Sequence, residues 1–431
     1  MPDAHIRRTD NLPALSLHIP EPRFRPGDTP DFSDIDVPAV DDLARPAESI
    51  APADMRDHAY GLVRVLDFEG RAAGAWDPRL SAERLQAMLR YMMLVRAFDD
   101  RMFRAQRQGK TSFYMKSTGE EAVAVAATMA LARYDMCFPS YRQQGILIAR
   151  DYPLVDMMNQ IYSNRQDSLK GRQLPIMYSA KDYGFFSLSG NLATQYPQAV
   201  GWAMASAAKG DNRISAVWCG EGSTAEGDFH SAMTFAAVYN APVIMNVVNN
   251  QWAISSFSGF AGGERTTFAA RAVGYGIAGL RVDGNDPLAV FAATQWAADR
   301  ARTNSGPTLI EHFTYRAEGH STSDDPAAYR AREEYAAWPF GDPILRLKQH
   351  LSNLGEWDDT RHDRLAAELI ELVKVAQKAA EKNGILGHGL HQPLESMFED
   401  VFEHMPSHLV EQREQMLAEQ ARKFGAKGGQ G

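Results

Sequence analysis

CGEGSTAEGDFHSAMTFAAVYNAPVIMNVVNNQWAI, residues 219–254, decides the fold. ISAVWC (214–219) is a short apolar run of β-formers, residues 224–240 carry a helical pattern, and PVIMNVVNN (242–250) is a second apolar run. Two non-alternating apolar strands joined by a helix predict a parallel sheet covered on both faces. In such a sheet both strand ends lie on one edge, the edge where open α/β sheets bind ligands. Gly220 and Gly222 bracket Glu221 in a turn after the first strand, and Asn249–Asn250 end the second. Glu221 and Asn250 are therefore expected to converge. One carboxylate and one amide oxygen make a hard, oxygen-only ligand set of low charge, suited to Mg²⁺ that completes its shell with water and ligand phosphates. The glycines let backbone approach a ligand closely, and a helix start expected at 223–226 favours phosphate. A single G-x-G or a single Asn pair reads as a helix-start acid or a turn. The two together, with strand–helix–strand between them, point to a metal–diphosphate site.

The alternation continues outward. A helix is expected over 81–108, with Ser81 as cap, Gly109 as stop and Leu85, Met88, Leu89, Met92, Val95, Phe98 and Met102 on one stripe. Further helices are expected over 119–133, 266–278 and 286–302, and strands over 280–284 and 307–316. Residues 357–383 and 407–423 read as amphipathic packing helices. Residues 1–52 hold 9 of the chain's 22 prolines and are either a disordered tail or an extended arm on this chain or a partner. The division is an N-terminal arm (1–60), one α/β domain (61–345) and a helical extension (346–431).

Composition narrows the class. Of 431 residues, 45% are apolar and 23% charged, an ordinary globular balance. Lys+Arg of 45 against Asp+Glu of 54 gives −9, a poor basis for general nucleic-acid binding. The 2 cysteines, Cys137 and Cys219, support neither a disulfide framework nor a four-cysteine zinc site. No apolar run is long enough for a membrane span. The first residues, MPDAHIRRTDNLPALSLHIPEP, carry acids and prolines and read as neither signal nor transit peptide, so the expected compartment is the cytoplasm. Gly274-x-Gly276-x-x-Gly279 matches a dinucleotide fingerprint only as a string, because it precedes a strand instead of following one. Gly222-STAE-Gly227 has P-loop glycine spacing, but Asp228 and Phe229 follow where Lys and Ser/Thr are required.

Gly220-Glu221-Gly222…Asn249-Asn250 resembles the thiamine-diphosphate motif. Around it, SFYMKSTGEEA (112–122), FPSYRQQG (138–145), KGRQLPIMY (170–178), GNLATQ (190–195), LRVDGNDPLAV (280–290) and YRAEGHSTSDDPAAYR (315–330) resemble the alpha subunits of 2-oxo acid dehydrogenases over about 85–400. SFYM and GHSTSDD are closest to the branched-chain, 2-oxoisovalerate type. The alternatives are a pyruvate or acetoin dehydrogenase and, in another class, a non-catalytic regulator that binds a phosphate ligand.

The resemblance implies a three-layer α/β/α sandwich with a mainly parallel sheet, Mg²⁺ and thiamine diphosphate. It also implies a beta subunit in a heterotetramer of two alpha and two beta chains, and acyl transfer to a lipoyl-bearing transacylase core after decarboxylation of a branched 2-oxo acid. By match, Glu221, Asn250 and the carbonyl of Trp252 hold Mg²⁺. Tyr141, Arg142, Gly190, Leu192, Gly220, Gly222, Ser223 and Ile254 contact the cofactor. Ser189, Asn191, Thr194 and Gln195 match a monovalent-cation loop for K⁺. His320 is the expected acid/base near the reacting carbon, and Phe113 with Leu192 is expected to line the pocket for the substrate side chain. Three departures stand out: Gly190 replaces a family serine, Val248 a family arginine and Asn191 a family proline. Ser321 matches a serine phosphorylated in mitochondrial relatives, and nothing in this chain implies its kinase.

Overall fold

The computed structural model describes residues 15–425, with side chains to 423; the start of the expected arm (1–14) and the end of the expected extension (426–431) lie outside the described residues. Five parallel strands form the central sheet: β1 (Met136–Phe138), β2 (Ser215–Gly220), β3 (Val243–Asn249), β6 (Ala278–Asp283) and β7 (Thr308–Phe313), in the order β1-β2-β3-β7-β6. A small antiparallel pair, β4 (Trp252–Ala253) and β5 (Ser256–Phe257), follows β3. Every residue of β3 is buried, which explains its largely apolar run; the polar residue within it, Asn246, is bonded to Val217 O and His312. Gly220 pairs with Val248, and Asn249 with Phe313, so the carboxyl ends of β2, β3 and β7 are level and their loops meet on one edge.

Helices cover both faces. Ala82–Arg107 is capped by Ser81, whose Oγ accepts from Arg84 N, and all seven residues of its expected stripe are buried. Glu121–Ala130 and Pro287–Arg302 pack on each other and the core; Asp286 caps the latter through its Oδ1. On the other face, Gln195–Ala208 and Gly227–Val238 enclose Tyr196, Phe229 and Met233 against the sheet. Asp359–Glu381 packs on Ala82–Arg107, and Ser407–Gly425 ends the described chain. No helix among the described residues is long and apolar enough to cross a membrane.

Of the two readings of the Pro-rich start, residues 15–50 form an arm lying on the domain. Its carbonyls serve as acceptors for domain side chains: Pro38 O for Arg64 (2.6 Å), Pro46 O for the Trp296 indole (2.9 Å), Glu48 O and Ile50 O for Arg300 (2.6 and 2.8 Å). Phe32 is inserted between Phe24 and Trp338, with ring centroids 5.0 and 5.4 Å away. Local turns satisfy part of the arm's backbone, as in Asp28 N–H on Arg25 O and Ile35 N–H on Phe32 O, and the carbonyls named above are satisfied by the surface it covers.

Two expectations change. The helix expected over 266–278 shrinks to Arg271–Tyr275. The buried Glu311 carboxylate takes the Ala269 N–H at 2.9 Å and Thr267 bonds to Ala59 O, so the segment's polar groups are satisfied across the fold instead of along a helix. The second concerns the turn after β2, described below. The rejected glycine string behaves as expected: Gly276 ends a helix at φ 68° and Gly279 lies within β6.

Candidate active site

Glu221–Ala225 forms a 3-10 turn, closed by Thr224 Oγ1 on Glu221 O (2.5 Å), and Glu226 is extended at ψ 147° before the helix starts at Gly227. The helix start expected at 223–226 therefore lies at Gly227, because the Glu226 backbone interrupts helical geometry. The turn packs under β4: a Cβ on Gly222 would stand 2.6 Å from the Ala253 Cβ, so only glycine allows this approach. Around Gly220 a Cβ would meet nothing within 4 Å, leaving open space above the strand end.

The turn buries Glu221 to 1% exposure. Its Oε2 is 3.4 Å from Asn250 N, while Oε1 is buried with no hydrogen-bond partner. Burial pushes the carboxyl up to about 7. Asn250 Oδ1 accepts from Trp252 N at 3.3 Å. The left-handed backbone of Gln251 (φ 74°), with its side chain on Asn249, turns the chain so that the Trp252 carbonyl follows. A carboxylate oxygen that is buried and unpartnered in the folded chain, beside an amide oxygen and a main-chain carbonyl, fits the hard divalent ion expected here.

Two buried arginines stand over these groups. Arg142, in the loop after β1, bonds to Lys116 O and at 3.0 Å to His320 O, and its Nε is 3.5 Å from Glu120. Arg316, just after β7, donates to Trp252 O (2.8 Å), Ile254 O (2.9 Å) and the Tyr329 hydroxyl (2.7 Å). The His320 backbone N–H is held by Asp324 at 2.6 Å. Its ring packs edge-on to Tyr141 at 5.6 Å, and its Nδ1 lies 3.4 Å from both Arg142 and Arg316. Guanidinium groups only donate, so Nδ1 is the lone-pair nitrogen and the proton sits on Nε2. Burial, then the two arginine charges, push the ring down to about 3, which keeps it neutral at working pH.

The remaining expected residues differ in exposure. Ser223 is buried, while Leu192 (47%) and Ile254 (55%) are exposed. A cavity of about 410 Å³ is lined by Asn191, Leu192, Thr194, Glu226, Gly227 and Asp228. Gly190 is exposed, with a Cβ there 3.3 Å from the end of Met177, and Phe113 is half-buried against the main core. In the 189–195 loop Thr194 Oγ1 bonds to Ser189 Oγ (2.9 Å) and Asn191 O (3.2 Å); Gln195 Nε2 is on Trp218 O (2.7 Å), with Oε1 buried and unpartnered. A second cavity, about 570 Å³, lies between the arm and Trp252 and contains none of the other expected site residues. Two residues of the site were not singled out from sequence: Glu120 and Arg316. Both fall inside quoted motif stretches, STGEEA and YRAEGH, but their roles emerge only from partners far away in sequence.

Residues 89–388 match the family model described as dehydrogenase E1 component, and residues 13–53 match the 2-oxoisovalerate dehydrogenase E1 alpha subunit N terminal. The chain is 58% identical over 402 residues to a Pseudomonas aeruginosa protein named 2-oxoisovalerate dehydrogenase subunit alpha, covering 93% of this chain and 98% of the relative. It is 40% identical over 359 residues to the mitochondrial alpha subunit of that name from Mus musculus (82% and 79% covered), and 38% identical over 351 residues to an Arabidopsis thaliana counterpart (81% and 73%).

Proposed function

The chain belongs to the dehydrogenase E1 component family, as an alpha subunit of the branched-chain 2-oxo acid type, and from that premise we propose how its own residues serve the reaction. Its activity is the decarboxylating step of 2-oxoisovalerate dehydrogenase, an oxidoreductase; the pyruvate, acetoin and regulator alternatives are not favoured. Thiamine diphosphate is the family's cofactor and supplies, when bound, the electron sink that lets a 2-oxo acid lose CO₂.

The finer assignments are ours. Glu221, Asn250 and the Trp252 carbonyl hold Mg²⁺, and the carrying observation is the buried, unpartnered Oε1 of Glu221. Arg142 and Tyr141 face the diphosphate, where a rigid fork of donors suits phosphate oxygens. Gly220 and Gly222 leave room for close approach, and Gly190, Leu192, Ser223 and Ile254 form the mouth. His320 presents an Nε2–H that donates a hydrogen bond to the reacting oxygen. Phe113 and Leu192 offer apolar surface to a branched aliphatic tail. Ser189, Asn191, Thr194 and Gln195 brace the mouth around K⁺.

The exposed mouth is half a site, and we propose that a beta subunit closes it in a heterotetramer of two alpha and two beta chains, which passes the acyl group to a lipoyl-bearing transacylase. A cytoplasmic setting is supported by the bacterial relative. The test is to produce the chain with its beta partner and compare steady-state rates with 3-methyl-2-oxobutanoate and pyruvate, with Mg²⁺ and thiamine diphosphate present. Preference for the branched acid is expected; preference for pyruvate overturns the substrate reading.

A further inference from the structure

Glu120 sits at the N-terminal end of the helix Glu121–Ala130, in a turn built with unusual constraint. Gly119 before it is at φ 95°, and a Cβ there would stand 2.4 Å from the Tyr315 carbonyl oxygen. Glu121 after it is fully buried, accepting Gly119 N–H (2.9 Å) and Arg96 (2.7 Å). Thr118 O accepts Ala317 N–H at 3.1 Å, which clamps the turn to the chain leaving β7. The constrained turn delivers one carboxylate, 2% exposed, to the carboxyl edge of the sheet.

There a single oxygen, Glu120 Oε1, receives the Asn250 side-chain amide at 2.8 Å and lies 3.5 Å from Arg142 Nε. The Asn250 end that faces this oxygen is the NH₂, which donates to it. The amide oxygen is then forced to the opposite side, where it accepts from the Trp252 N–H, and the Asn250 backbone N lies 3.4 Å from Glu221 Oε2. Without that constraint an asparagine amide has two nearly isosteric orientations, and only one presents an oxygen to a cation.

We propose that Glu120 is a positioning residue. It selects the Asn250 amide orientation that offers oxygen to the divalent ion, and through the same oxygen it ties that ligand to the arginine that reads the diphosphate. The inference rests on the metal assignment above and extends it. Outer partners that orient a metal ligand change affinity by roughly 10–100-fold when removed, and that range sets the expected effect.

The test uses the full chain with its beta partner and measures binding of Mg²⁺ with thiamine diphosphate by calorimetry. Glu120→Ala is expected to weaken binding by about 10–100-fold, whereas Glu120→Gln, which still offers an amide oxygen to the Asn250 NH₂, stays within about threefold of wild type. A swap keeps the inference testable if Glu120→Ala fails to fold. Asn250→Asp sets two carboxylates against each other and weakens binding, and adding Glu120→Gln restores a donor–acceptor pair and recovers at least about tenfold. Equal loss in Glu120→Ala and Glu120→Gln, wild-type binding by Glu120→Ala, or no recovery in the swap overturns the role of Glu120. Wild-type protein that binds no Mg²⁺ with thiamine diphosphate overturns the metal assignment itself, a result distinct from the others.

Discussion

Arg316 Nη1 donates to the carbonyl oxygen of Trp252 at 2.8 Å. This is the carbonyl assigned to the metal, so one lone pair is committed to the protein and one remains for the ion. The same guanidinium holds Ile254 O at 2.9 Å, and Ile254 is at φ 57°, a left-handed conformation that a β-branched residue adopts only when its surroundings impose it. Lysine has no planar fork and cannot hold both carbonyls. Arg316→Lys is therefore expected to loosen the Trp252–Ile254 turn and weaken Mg²⁺-dependent cofactor binding about tenfold. Calorimetry on the chain with its beta partner reads this directly; undiminished affinity would show that β4 holds its shape alone.

Glu221 has opposite effects on stability and binding. Its carboxyl is raised from 4.5 to about 7 by burial. Between those values the folded chain holds a proton that the unfolded chain has released, so this contribution to stability is present at low pH and lost as pH rises towards 7. Mg²⁺ needs the ionised form, so its affinity is expected to fall as pH drops below about 7. Glu221→Gln should raise the melting temperature of the cofactor-free protein at pH 8 and abolish the further rise caused by Mg²⁺ with thiamine diphosphate. Thermal scans with and without both ligands check this, and a ligand-induced rise preserved in the variant contradicts the metal role.

His320 separates chemistry from binding. Its backbone N–H is fixed by Asp324, and its carbonyl is held by Arg142, so truncating the ring leaves those contacts in place. His320→Ala is expected to bind cofactor within a few-fold of wild type and to lose turnover by about 10²–10³, the range for removing one positioned hydrogen-bond donor. A parallel loss of cofactor affinity would make the ring part of the binding site instead.

The legibility of this site follows from how local each signal is. β2, β3 and the helix between them were readable because strands buried on both faces leave a nearly continuous apolar run, and strand ends fix where Glu221 and Asn250 must lie. β1, three residues long, leaves no pattern, and the helix Gln195–Ala208 is hidden by Pro197 and Gly201. His320 came from family resemblance, since a histidine in a polar loop carries no period of its own. Glu120 and Arg316 went unremarked because their partners, Asn250 and Trp252, are 130 and 64 residues away. The arm could be read two ways because many of its contacts with the domain are made by backbone carbonyls, which every residue has.

His312, in β7, is fully buried; its Nε2 is 2.9 Å from Asn246 Oδ1, and burial lowers its ring from 6.5 to about 3. Below pH 6.5 the unfolded chain takes up a proton there that the folded chain refuses. The contribution to stability is therefore complete above that pH and lost as pH falls towards 3, with a slope of at most about 1.4 kcal/mol per pH unit. His312→Gln keeps a donor for Asn246 and should flatten the acid limb of the stability curve. Denaturant titrations at pH 5 and pH 7 on both proteins isolate the difference; identical slopes would place the acid sensitivity elsewhere.

Phe32 connects the arm to the site. Its ring meets Trp338 edge-on at 5.4 Å, Trp338 packs on Tyr315 at 5.3 Å, and Tyr315 directly precedes Arg316. The Trp338 indole is fixed by Asn285 Oδ1 at 3.1 Å, so the contact is between positioned groups. Phe32→Ala removes an almost fully buried ring, for which about 3 kcal/mol is the expected loss. Because the cavity left would lie against the cluster that anchors Arg316, cofactor binding should weaken several-fold as well. Denaturant unfolding and calorimetry on the same preparation test both effects. Stability lost with affinity intact would mean that the arm covers the domain without bracing the site.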